Sequence, residues 1–156
     1  MTRNSPRRKV PDDFWSGRLR QGQAYLEAAR QALTLAEPNQ NANPIVSQIV
    51  LAAIAFADAL TAKRAGIINT QDHAAAPKLL RDVLRDSLPD NQERRYKRIL
   101  GKKDEAQYGA RTESVEHASS LLADLEEFAQ WAEDTIGMSM PSDPGDRSGN
   151  RKKNAP

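Results

Sequence analysis

The chain has 156 residues, 38% hydrophobic and 28% charged, with a formal net charge of +2. That length fits one domain with an adequate single core, and so small a net charge does not by itself mark a polyanion binder. The absence of cysteine excludes disulfides, thiolate metal sites and cysteine nucleophiles, and suits a reducing compartment.

Residues 1–11 carry Arg3, Arg7, Arg8 and Lys9 without apolar periodicity, which predicts a disordered basic arm. Pro11, Asp12 and Asp13 follow where a secretory signal would need an apolar core, so a cytoplasmic location is expected. Residues 12–137 form the expected helical domain. Asp12 or Asp13 is the expected cap of a first helix, in which Trp15, Leu19, Gly22, Leu26, Ala29, Leu33 and Ala36 recur at steps of three and four. Gly17 and Gly22 each weaken this helix by about 1 kcal/mol relative to Ala, so packing must hold it.

After Pro38 and a polar loop comes a segment from Ile45 to Gly66 that is apolar nearly all round. Such a helix must be buried on every side. Its charge-free run is shorter than the roughly 20 residues a bilayer demands, so no membrane association is expected. Asp58 interrupts the apolar run, and a buried carboxylate needs a partner, a subunit interface or solvent. Gly66 suits the left-handed position after a helix end.

A third helix is expected from Asp72, or from nearer Ala76 because Pro77 is tolerated only near a helix start, and it runs through Leu88. Beyond Pro89, Asp90 and Glu93 have capping-box spacing and open a short basic surface helix to Leu100. Arg94, Arg95, Lys97, Arg98, Lys102 and Lys103 are candidate contacts to nucleic-acid phosphates; pairing with the acidic last helix explains them equally well. Thr112 is the expected cap of that last helix, whose apolar stripe runs from Val115 through Leu122, Leu125 and Ala129 to Ile136. Residues 138–156 read as a disordered tail. No strand and no repeat is expected. The fold class is all-α, an antiparallel bundle of four to five helices around a buried second helix.

Two stretches resemble the HEPN superfamily of small helical domains. One is Ala24 to Arg30, followed by the apolar second helix and by Asp72 and His73 before Leu79 and Leu80; the other is Lys102 to Gly109, followed by Leu121, Leu122 and Phe128. The resemblance implies a dimer, or a complex with a partner protein, in a toxin-antitoxin, defence or RNA-processing system. Catalytic members cleave RNA without metal, through an Arg, four to six intervening residues and then a His. Arg111 and His117 match that spacing, and in such a site His117 would move the proton while Arg111 steadied phosphate charge. Thr112 departs from the usual Asn, Asp or His after the Arg, and Ala106 and Gln107 stand before Tyr108 where the family's histidine would fall. The expectation is a non-catalytic or degenerate interaction module, with a metal-independent ribonuclease and a nucleic-acid binder as alternatives. Asp58 and His73 are expected as structural or interface polar residues. No cofactor and no metal site is expected, since two histidines and no cysteine leave only carboxylates. Gly-rich phosphate loops, His pairs on one helix, serine nucleophile elbows and helix-turn-helix signatures are absent from the sequence.

Overall fold

The computed structural model describes residues 7–70, 73–104 and 109–139. Within them the chain is an all-α helical bundle: α1 (Phe14–Thr34), α2 (Asn43–Ala65), α3 (Ala76–Leu84), α4 (Asp90–Leu100) and α5 (Val115–Ser139). The expected cap Asp72, the family-like residues Ala106, Gln107 and Tyr108, and the termini 1–6 and 140–156 lie outside the described residues.

The second helix is the core. Ile45, Val46, Ile49, Val50, Ala52, Ala53, Phe56 and Leu60 are all buried in one cluster with Leu26, Leu80, Tyr96, Leu121, Leu125 and Phe128 from the other four helices. Pro44 sits in its first turn, where a missing amide costs nothing, and Gly66 ends it at φ 67° with its N–H on the Ala62 carbonyl. By length and composition α2 does reach what a membrane span requires, with a mean hydropathy of 1.9 over 18 residues; the shorter reach expected from the sequence is corrected on this point. Yet 72% of that window is buried inside the fold, where its apolar side chains are covered by the other helices.

Helix α1 runs antiparallel to α2, with Arg18 on Asp58 and Gly22 against Phe56, and antiparallel to α5, with Gln23 on Glu133 and Arg30 on Glu126. Helices α2 and α5 therefore run in the same direction. Helix α4 crosses onto α5, where Tyr96 stacks on Phe128 with ring centroids 5.1 Å apart. Trp131 packs against Phe128 with tilted rings, centroids 5.6 Å apart, and both Trp15 and Trp131 are half-buried against the core.

Five expectations about local structure are corrected. A two-stranded antiparallel sheet is present: β1 (Arg7–Lys9) pairs with β2 (Ile67–Asn69), Arg8 opposite Ile68. The basic arm is therefore ordered from Arg7, because the left-handed turn at Gly66 lays Ile67–Asn69 out as an edge on which the arm pairs. Helix α3 stops at Leu84, and Arg85–Ser87 form a 3-10 turn that folds Leu88 into the core. Pro89, and not Asp90, precedes α4, and the Asp90 side chain makes no cap; Asp90 and Glu93 both turn to Arg81 instead, at 3.2 and 3.0 Å. Ser114, and not Thr112, caps α5, its Oγ accepting the His117 N–H at 3.0 Å.

Candidate functional site

The matched pair Arg111 and His117 flanks the entry to α5. Asn43, the first residue of α2, holds this entry from across the bundle: its Nδ2 donates to the Arg111 carbonyl at 3.2 Å and its Oδ1 accepts the Glu113 N–H at 2.6 Å. The Ala42 N–H adds a bond to the Glu113 carbonyl at 3.0 Å. The starts of α2 and α5 are thus tied together by three hydrogen bonds.

Glu113 is buried and points its carboxylate at His117, with Oε2 2.5 Å from Nδ1. Its other oxygen lies 4.0 Å from Lys102 Nζ. The residues are four apart, Glu113 just before the Ser114 cap and His117 in the first turn of α5, so the chain's entry into the helix brings them together. With the proton on Nδ1, the imidazole would donate to Glu113 and carry its basic lone pair on Nε2, the tautomer a general base needs. Its side chain is 29% exposed, enough to meet a ligand. Arg111 is exposed, and among the described residues no hydrogen bond or ion pair joins it to His117. The spacing therefore brings to His117 a carboxylate, Glu113, in place of a guanidinium.

The basic residues expected to form a phosphate track divide between different surroundings. Arg98 binds Asp124 of α5 at 2.7 Å and Ser120 at 3.1 Å, and Arg95 lies 3.9 Å from the same Asp124. Lys97 leans back to Glu93 at 3.8 Å, and Lys102 belongs to the Glu113 cluster. Lys97 and Lys103 line a separate open groove with Ala74, Pro77 and Leu100.

Asp58 finds Arg18, whose Nε and Nη2 approach Oδ2 at 3.1 and 2.9 Å. Burial pushes the Asp58 carboxyl up to about 6 even though Arg18, and at longer range Arg8, pull it down. The Tyr96 phenol is pushed well above its ordinary range by burial and by the charge of Asp58. His73 opens a 3-10 turn before α3, and its side chain lies outside the described residues. Among the described residues no group of three or more His, Asp or Glu could hold a metal ion.

Sequence reasoning passed over Glu113, Asn43, Arg18 and Asp124. Only Glu113 left a local signal, its four-residue spacing to His117; the others meet their partners across 26 to 70 residues of chain. No protein-family model matches the chain, and no curated protein sequence matches it significantly.

Proposed function

We propose that the chain is a non-catalytic HEPN-like interaction module that pairs with a second copy of itself, in a toxin-antitoxin, defence or RNA-related system. The observation that carries this reading is the incomplete cover of α2. Leu51 and Ile54 are only half-buried, with Ser47 and Gln48 beside them, on a helix that has no polar side to offer water. The non-catalytic half of the reading is supported by Thr112, which stands where the resembled motif usually has Asn, Asp or His after the Arg.

Light scattering on the eluting peak of a sizing column tests it. The wild-type chain should run as a dimer, and Leu51→Gln with Ile54→Gln should run as a monomer of unchanged helicity. A wild-type monomer at high concentration would sink the reading.

A second reading, a metal-independent ribonuclease, is favoured by the Glu113–His117 pair alone. It requires RNA cleavage in EDTA that disappears in His117→Ala and falls in Glu113→Gln. Cleavage that persists in His117→Ala would remove it.

A further inference from the structure

Between α4 and α5 lies an open notch of about 260 Å³, lined by Asn91, Arg94, Arg95, Arg98 and Asp124. Three arginines line it with one carboxylate, which leaves an excess of two positive charges, and the guanidinium groups of Arg95 and Arg98 meet at Asp124. The arrangement is braced from α5: Asp124 takes Arg98 at 2.7 Å and draws Arg95 to 3.9 Å, while Ser120 receives the second Arg98 nitrogen at 3.1 Å. Arg94 is exposed, and among the described residues it forms no ion pair or side-chain hydrogen bond. Arg95 and Arg98, held in this way, have already lost part of their rotamer freedom, so an incoming oxyanion meets two donors that are partly set beside the open Arg94.

Charge and extent together select the ligand. Lys97, Lys102 and Lys103, which would have to continue the surface for a polymer of phosphodiesters, are turned to Glu93, to Glu113 and to a different groove. The basic surface is therefore local. A two-charge excess confined to this notch matches one phosphate monoester, which carries close to two negative charges at neutral pH and three acceptor oxygens for guanidinium forks.

We infer that the Arg94, Arg95, Arg98 notch is a binding site for a phosphate monoester group, carried on a phosphorylated side chain or on a small phosphorylated molecule. Arg94 and Arg95 supply the open donors, Asn91 adds an amide, and Asp124 and Ser120 position Arg98. This inference stands independently of the dimer and of His117.

The test is a titration of the full chain at low salt with glycerol phosphate, with a phosphoserine peptide and its unphosphorylated form, and with dimethyl phosphate as a diester, reading the arginine Nε–Hε resonances. Saturable shifts of Arg94 and Arg95 with the monoesters, absent with dimethyl phosphate and with the unphosphorylated peptide, are expected. Arg94→Gln, which leaves the Arg98–Asp124 pair in place, should weaken binding by about tenfold, the loss of one charge-assisted contact. Tighter binding of the peptide than of glycerol phosphate assigns the site to a phosphorylated protein, and equal binding assigns it to small phosphorylated molecules. No saturable shift, unchanged affinity in Arg94→Gln, or an equal response to dimethyl phosphate overturns the inference.

Discussion

Arg18 on α1 directs two of its guanidinium nitrogens at a single oxygen of Asp58 on α2, at 3.1 and 2.9 Å, and so converts the one carboxylate of the central helix into a cross-helix clamp. The clamp does not fully offset the burial of Asp58, whose carboxyl is raised from 3.8 to about 6. The folded chain therefore holds the Asp58 proton more tightly than the unfolded chain. The contribution of this group is complete below its unfolded value and is lost as pH rises through about 6. A shift of this size corresponds to about 3 kcal/mol between the two limits. Asp58→Asn should accordingly gain on the wild type by a few kcal/mol between pH 4 and pH 7, measured as the difference of two urea unfolding series. A difference curve flat in pH would refute this. Arg18→Met should cost about 3 kcal/mol at neutral pH, where it strands the Asp58 charge, and less at pH 4.

The two glycines of α1 are predicted to respond oppositely. A side-chain carbon at Gly17 would meet nothing within 4 Å, so Gly17→Ala should gain about 1 kcal/mol from helix propensity alone. At Gly22 that carbon would stand 3.1 to 3.2 Å from three carbons of the Phe56 ring. Gly22→Val should lose about 2 kcal/mol by overpacking. Thermal unfolding of the two single variants decides it, and equal shifts would show that Phe56 yields freely.

Arg85 adopts φ 51° and ψ −122°, a backbone shape that favours glycine. The turn is enforced by Arg81, whose Nη1 donates to the carbonyls of Arg85 at 2.8 Å and Leu88 at 3.0 Å while its other nitrogens bind Glu93 and Asp90. Arg85→Gly should relieve about 1 kcal/mol of net strain and raise the melting temperature by roughly 3 °C. Arg81→Met should lower it, because the two carbonyls and both carboxylates lose their common donor. A lower melting temperature in Arg85→Gly would mean that the turn is unstrained.

Asn43→Ala should cost about 2 kcal/mol, since it removes the partners of the Arg111 carbonyl and the Glu113 N–H together. Amide exchange should quicken at Glu113 and His117, which the start of α5 protects. Protection unchanged at both amides would show that the helix entry holds without α2.

The elements with long apolar periodicity were legible before any coordinates. Leu26 and Ala29 mark the inner face of α1, and Leu121, Leu125, Phe128 and Ala132 that of α5, because three-and-four spacing states directly which side is buried. Short elements were not. Arg7–Lys9 and Ile67–Asn69 are too brief to show alternation, and their pairing depends on the turn at Gly66. The Asp90 and Glu93 spacing reads as a capping box, but a guanidinium from the previous helix outcompeted the backbone amides for both carboxylates.

The sequence by itself determined the all-α class, the central place of the helix from Asn43 to Ala65 and its end at Gly66, because burial and backbone shape follow from residue type and spacing along a single segment. Only the tertiary structure decided the charges. It gave Asp58 to Arg18, Glu113 to His117 and Lys102, and Asp124 to Arg95 and Arg98, and it left Arg94 to solvent. A charged side chain accepts any opposite charge within reach, and which one comes within reach is fixed by how whole helices cross.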